Sequence, residues 1–145
     1  MILDGIKATG VVSFYDASGK LIDSRNTVLT LGKEWIAQRC TGQLTSLVTH
    51  IAVGTGSSAV NVADVGLGAE IARAALTQAG AVNPSNKSVI RYEASFVEGV
   101  GTGALTEAGL FTAASAGICV ARTVFPVKNK GADDIFSVVW EITIN

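Results

Sequence analysis

Hydrophobic and polar residues alternate with a period of two along much of the chain, which is typical of half-buried β-strands. In the segment SVIRYEASF, one face of the predicted strand carries Ile90, Tyr92, Ala94 and Phe96. In the segment IFSVVWEITI, one face carries Phe136, Val138, Trp140, Ile142 and Ile144. Both segments are therefore predicted strands with one face in the core.

The beginning of the chain predicts a β-hairpin followed by a helix. Residues 11–15 and 21–28 are rich in β-branched and aromatic side chains, and the segment DASGK between them supplies an Asx turn and a glycine. The segment TLGKEWIAQRCTG then changes to helical spacing. We predict one short amphipathic helix that is capped by Thr30 and ends at Gly42.

The rest of the chain predicts further strands joined by turns rich in glycine. Residues 47–53 and the segment ICVARTVFPV have strand character, and KNKGADD predicts a polar turn. Residues 69–80 are ambiguous because their alanines favour helix, so we predict a helical turn that runs into a strand. About eight short strands and one or two helices predict an all-β sandwich or jelly-roll-like antiparallel domain over residues 1–145, with residues 1–7 as a flexible arm.

The composition narrows the classes of partner. Hydrophobic residues make up 48% of the 145 residues and charged residues 16%, so we expect part of the apolar surface to meet another protein. The net charge of −1 and the scattered basic residues argue against nucleic acid as a partner.

The absence of a signal-peptide pattern and of a long apolar run predicts a soluble protein made in the cytoplasm. Cys40 and Cys119 are expected to be small core residues without a disulfide or metal role.

The segment HIAVGTGSSAV is the first candidate for binding chemistry. Gly54, Gly56 and Ala59 match the G-x-G-x-x-A form of the dinucleotide fingerprint. A phosphate site also needs a helix that begins at the loop, and the residues that follow have no helical pattern. We therefore interpret Gly54 and Gly56 as residues of a bend and predict no bound cofactor.

The remaining candidates for catalysis or metal binding are equally weak. His50 is the only histidine and no G-x-S-x-G motif accompanies it, so we expect a packed or interface residue. Asp133 and Asp134 lie in a predicted polar turn without the pattern of a calcium loop. Trp35 and Trp140 are expected to anchor the core. The sequence therefore predicts a protein that is not an enzyme and has no catalytic or metal-ligating residues.

The segment TEAGLF predicts a structural device. We expect a β-bulge in which Gly109 lets the backbone turn sharply and directs Leu110 and Phe111 into the core. Glu107 would then accept hydrogen bonds from nearby backbone N–H groups.

The order of five motifs resembles a group of small virion proteins of tailed bacteriophages. These motifs are THIAVGTGSSAV, GLGAEIARAAL, EAGLF, GICVARTVFPVKNK and DDIFSVVWEITI. The same succession is similar to tail-collar and tail-fibre attachment proteins, which carry an E-x-GLF element followed by a lysine and a final strand pair. The resemblance implies a non-enzymatic building block of the virion.

A free-standing domain without fibre repeats fits a capsid cement or decoration protein best. Such a protein would bind the major capsid protein or other virion proteins and would form dimers or trimers. A tail or fibre-attachment protein is the alternative reading. A carbohydrate-binding module is a third, since β-sandwiches often present aromatic residues to sugars.

Overall fold

The computed structural model describes residues 5–145, which contain nine strands and one helix. The elements are β1 (Ala8–Asp16), β2 (Gly19–Val28), α1 (Thr30–Cys40), β3 (His50–Gly54), β4 (Glu70–Ala75), β5 (Ala81–Val82), β6 (Val89–Phe96), β7 (Gly103–Phe111), β8 (Cys119–Lys130) and β9 (Phe136–Ile144). The strands form one sheet in the order β4-β3-β7-β8-β2-β1-β9-β6-β5. Because neighbouring strands are antiparallel, the prediction of an antiparallel all-β protein with a short helix is confirmed.

The sheet is curled, and β2 connects its two halves. Most of β2 pairs with β1, whereas its last residues, Thr27 and Val28, pair with β8. At the other margin Leu76 forms an isolated bridge with Ala94, next to a 2.9 Å hydrogen bond from the Thr77 N–H to the Glu93 carbonyl. The inner faces of the two halves therefore enclose a common core.

Aromatic side chains from both halves of the sheet meet in this core. The rings of Phe14 and Phe125 lie 4.9 Å apart between centroids. Trp140 is fully buried and donates from Nε1 to Asn26 Oδ1 at 2.9 Å. Trp35 of α1 is also buried and donates from Nε1 to the Ser46 carbonyl. Both tryptophans are therefore core anchors, as predicted, and their N–H groups are satisfied.

The strands predicted from alternation are confirmed. The inward residues of β6 and β9 are buried or half-buried at every second position. The predicted hairpin is β1 and β2, and its turn contains the expected Asx motif, in which the Ser18 N–H donates to Asp16 Oδ1 at 2.8 Å. Gly19 follows with φ of 117°, a conformation that glycine adopts without strain.

The helical turn predicted near residue 69 is wrong. Residues 70–75 form β4, which pairs with β3 along its whole length. Pairing with a neighbouring strand outweighs the helical propensity of the alanines, because propensity is a weak preference. The ninth strand, β5, is not predicted from the sequence, because a segment of two residues carries no alternation to detect.

The helix lies where it was predicted, but its N-cap and one of its buried residues differ. The N-cap is Leu29 and has no side-chain hydrogen bond, and the N–H of Thr30 donates to the Val62 carbonyl at 2.9 Å. Thr30 is therefore not the cap. Cys40 is exposed, because α1 buries Gly32 and Trp35 on a narrow face, so the prediction of a core Cys40 is wrong. Gly42 follows the helix with φ of 70°.

The two ends of the described chain lie side by side. Lys7 and Asn145 exchange backbone hydrogen bonds of 2.8 and 2.7 Å, so Lys7 is held against the sheet and is not part of an arm. Residues 1–4 of the predicted arm lie outside the described residues. In residues 5–145 no helix is long and apolar enough to cross a bilayer.

Candidate functional site

Two buried charges of opposite sign lie on the outer face of the sheet, on β7 and β8. Ala108 and Leu110 point into the main core, so Glu107 points away from it. Glu107 is fully buried and Arg122 is 2% exposed. The guanidinium donates to Glu107 Oε2 from Nη2 at 2.8 Å and from Nε at 3.1 Å. The two side chains therefore form a buried ion pair with two hydrogen bonds.

The loop between β3 and β4, residues 55–69, lies over this ion pair, and we call it the covering loop. Its backbone surrounds the Glu107 carboxylate with three N–H donors. The N–H groups of Gly56 and Ala69 donate to Oε1 at 2.9 and 2.7 Å, and that of Gly68 donates to Oε2 at 2.9 Å. Together with Arg122, these donors saturate both carboxylate oxygens.

Arg122 also fixes the middle of the covering loop. Its Nη2 donates to the Ser58 carbonyl at 3.2 Å, and its Nη1 donates to Asp64 Oδ2 at 3.0 Å. The same Asp64 oxygen accepts the N–H of Asn61 at 2.9 Å. We call Glu107, Arg122 and Asp64 the Glu107 cluster. It ties both ends and the centre of the covering loop to the sheet.

The Glu107 cluster lowers the pKa of its central carboxyl group. Burial favours the neutral form of Glu107, but the N–H groups of Ala69, Gly68 and Gly56 and the Arg122 guanidinium together outweigh that effect. The pKa of Glu107 therefore lies below its usual value. The carboxyl group is ionised at neutral pH and has no free lone pair toward a substrate.

Gly54 at the end of β3 and Gly56 in the covering loop leave room for the carboxylate. A Cβ atom on Gly54 or on Gly56 would lie 2.5 Å from Glu107 Oε1. The loop does form a nest of N–H groups that suits an anion, but the anion is the protein's own glutamate. Because the Glu107 carboxylate fills this nest, the G-x-G pattern is compatible with a bend at this position.

A second apolar cluster fills the space beside the ion pair, between the covering loop and the sheet. Its buried members are Leu29, Ala52, Phe111 and Cys119, and Val60 and Leu67 pack against them. Gly109 faces this cluster, where a Cβ atom would lie 2.9 Å from Leu67 Cδ2. Burial raises the pKa of the Cys119 thiol to about 12, consistent with the predicted core role of this cysteine.

The bulge predicted at Gly109 lies elsewhere. Register shifts between β7 and β8 fall between Leu105 and Glu107 and between Leu110 and Phe111, whereas Gly109 stays in regular register opposite Arg122. Gly109 therefore makes space and does not turn the chain. Leu110 and Phe111 are both buried, Leu110 in the main core and Phe111 in the second cluster, because adjacent strand residues face opposite sides.

Arg73 closes the edge of the second cluster. Its guanidinium carbon lies 3.6 Å from the centre of the Phe111 ring, in cation–π contact. Nε donates to Glu70 at 2.6 Å, and Nη1 donates to the carbonyls of Ala113 and Ala116 at 2.8 Å each. Arg73 thus fixes the loop between β7 and β8 as Arg122 fixes the covering loop.

The other sequence candidates are not brought together. Trp140 lies on the inner face of β9, away from the Glu107 cluster. His50 is half-buried at the start of β3, with Nδ1 2.8 Å from Thr49 Oγ1. Asp134 accepts the N–H of Gly131 at 2.7 Å in the turn after β8. Over residues 5–145, no three His, Cys, Asp or Glu side chains are close enough to hold a metal ion.

Sequence reasoning missed Arg122, Asp64 and the buried Lys130. Lys130 is 2% exposed and donates from Nζ to the Val97 carbonyl at 3.0 Å, whereas the sequence predicts it in a polar turn. The sequence does contain a signal for Arg122, because this residue is a lone charge in an apolar strand. A buried charge requires a partner, and Glu107 is a lone charge in the preceding apolar strand.

No protein-family model matches the chain. Searches of curated proteins and of solved structures find no match either. The resemblance to phage virion proteins therefore depends only on the order of the motifs in the sequence.

Proposed function

We propose that the chain is a non-enzymatic structural protein of a tailed-bacteriophage virion and acts as a capsid cement protein that binds the major capsid protein shell. The motif order supports the virion assignment. The observation that carries the structural role is the covering loop. Its one charged side chain, Asp64, accepts hydrogen bonds from Arg122 and from the Asn61 N–H, whereas Val62 and Val65 are 50% and 73% exposed.

A loop fixed in this way is suited to contact with another protein. Binding costs less conformational entropy when the contacting backbone is already ordered. The low charged fraction of 16% limits the cost of desolvating the surface. A modest contact of this kind becomes strong on a shell that offers many identical sites. The loop valines are accordingly the proposed contact with the capsid.

The test is mass spectrometry of heads and tails separated from the phage that encodes the chain, with copy number determined. Cement predicts hundreds of copies on heads. A few copies on tails would contradict it and support the tail or fibre-attachment alternative. Absence from both, together with a signal on a glycan array, would instead support a carbohydrate-binding module.

A variant experiment separates the covering loop from the remaining surface. The double variant V62S/V65S should bind purified heads at least about tenfold more weakly, since it removes about 1.4 kcal/mol or more of apolar contact. The matched control is V97S/V127S, which changes two valines of similar exposure, 50% and 51%, outside the loop. Equal binding by both double variants would exclude the covering loop as the contact.

A further inference from the structure

The outer face of β2, β1 and β9 carries a cross-strand row of three side chains, of which Arg25 and Val11 are exposed and Glu141 is half-buried. In the antiparallel register, Val11 of β1 lies opposite Arg25 of β2 on one side and opposite Glu141 of β9 on the other. Paired residues of neighbouring strands share a face, so these three side chains point the same way. Val11 is 41% exposed, which identifies the face as outward.

Arg25 and Glu141 differ from the other charged residues on this face. Lys20 pairs with Asp23 at 3.2 Å. Arg91 of β6 lies opposite Glu141 in register, but its guanidinium pairs with Glu93 at 2.9 Å. Within the described part of the chain, the side chains of Arg25 and Glu141 make no ion pair or hydrogen bond. They lie one strand to either side of β1, so their backbones are about 10 Å apart.

This arrangement is complementary to itself. A two-fold axis that runs along β1 in the plane of contact exchanges the strand positions on its two sides. Arg25 of one copy would then lie opposite Glu141 of the other, and the reverse pair would form by symmetry. The Val11 side chains of the two copies would meet at the axis.

We infer that the outer face of β2, β1 and β9 binds a second copy of this chain around a two-fold axis along β1. This inference does not depend on the proposed function. A cavity of about 520 Å³ lies in the same face, and Val11, Arg25 and Glu141 all line it. It gives the charged ends of the opposite copy room to enter. Aligned packing of two sheets is a common arrangement between antiparallel faces.

The size of the face predicts a weak dimer. Three strands about 4.8 Å apart and about eight residues long cover on the order of 400 Å² per copy. A stable complex typically buries about 800 Å² per partner. The dimer should therefore dissociate on dilution and form at high protein concentration.

The test is sedimentation velocity of the full chain from about 10 µM to about 1 mM, which spans weak protein association. Wild type should shift from monomer to dimer over this range. Arg25→Glu and Glu141→Lys should each remain monomeric, because each places like charges opposite one another. The double variant R25E/E141K should recover the dimer, because it exchanges the signs of both partners.

A mixture of the two single variants distinguishes this face from every other surface. In a heterodimer of R25E and E141K chains, both facing pairs have opposite signs, so equimolar mixing should produce dimer where neither variant does so alone. The matched controls are Lys33→Glu and Glu34→Lys on the exposed side of α1, which should dimerise like wild type. A wild type that stays monomeric at about 1 mM, or a mixture that stays monomeric, would overturn the inference.

Discussion

Glu107 is a fully buried carboxylate whose charge is balanced by one guanidinium and three backbone N–H groups. Glu107→Gln keeps the size of the side chain but removes the buried counter-charge of Arg122, which keeps only the half-buried Asp64 as an ionic partner. It also places the N–H₂ group of the side-chain amide, a hydrogen-bond donor, against backbone N–H groups that are themselves donors. We expect the free energy of unfolding to fall by about 3 kcal/mol, the usual cost of breaking a buried pair. Urea unfolding followed by tryptophan fluorescence measures this change, with the exposed Glu98→Gln as control.

The lowered pKa of Glu107 predicts that the free energy of unfolding depends on pH. Because folding lowers the pKa of Glu107, its ionised form contributes stability that is complete above the unfolded pKa of about 4.3 and is lost as the pH falls through the lower folded pKa. The stability difference between wild type and E107Q should therefore be largest near neutral pH and shrink below about pH 4. A constant difference down to about pH 3 would show that the charge of Glu107 is not its stabilising feature.

The two cysteines predict different reactivities. Cys40 is exposed, whereas Cys119 is buried and its pKa is raised to about 12, so little reactive thiolate exists at Cys119 in the folded protein. A thiol reagent such as DTNB should label one cysteine per native chain quickly and the second only after unfolding. The C40S variant should show no rapid phase. Rapid labelling of C40S would contradict the burial of Cys119.

At the scale of elements, the docking of α1 depends on close approach to β8. A Cβ atom on Gly32 would lie 2.1 Å from the Val120 carbonyl oxygen, so the helix cannot keep its position with any larger residue there. Gly32→Ala should lower the free energy of unfolding by about 3 kcal/mol, although alanine favours helix. Lys33→Ala on the exposed side of the same helix is the control. Thermal unfolding of both variants distinguishes a packing effect from helix propensity.

The sequence predicts those elements whose structure is determined by the pattern of their own residues. Strands β6 and β9 alternate cleanly because one face of each lies in the core, and the turn of β1 and β2 carries its own Asx residue. Strand β4 is predicted in part as helix because its structure depends on pairing with β3, which local propensity does not report. The Thr30 cap failed for a similar reason, since the N–H of Thr30 is satisfied by Val62 from the covering loop.

The candidate site was only partly predictable. Glu107 could be expected to accept backbone N–H groups because a lone carboxylate between apolar residues needs donors. Its specific partners could not be inferred, since Gly56 and Arg122 are separated from Glu107 by 51 and 15 residues, respectively. Strand pairing brings these residues together in space, and a single sequence does not specify the register of that pairing.

At the scale of the whole molecule, the curled sheet predicts a gradient of local stability. Strands β1 and β9 are paired on both sides, whereas β5 has two residues at the margin of the sheet and both are exposed. Amide hydrogen exchange should therefore be slowest for Val138 and Trp140 and fast for Ala81 and Val82. Slow exchange at β5 would indicate that another copy or another protein covers that margin.

Composition and alternation predict the class of fold but not the path of the sheet. Alternation reports that each strand has one buried face, and it is the same for two separate sheets and for one sheet that curls on itself. The difference lies in Thr27 and Val28, which pair with β8 after the rest of β2 has paired with β1.

The paired backbones of Lys7 and Asn145 have a practical consequence for handling the protein. A fluorescent label or affinity tag joined through either position would emerge from the same corner of the molecule. The covering loop is held on the opposite half of the curled sheet, on β7 and β8, so such fusions leave it open to partners. A short peptide bridge between these two positions should likewise allow the chain to be rejoined and reopened in the exposed turn at residues 83–87.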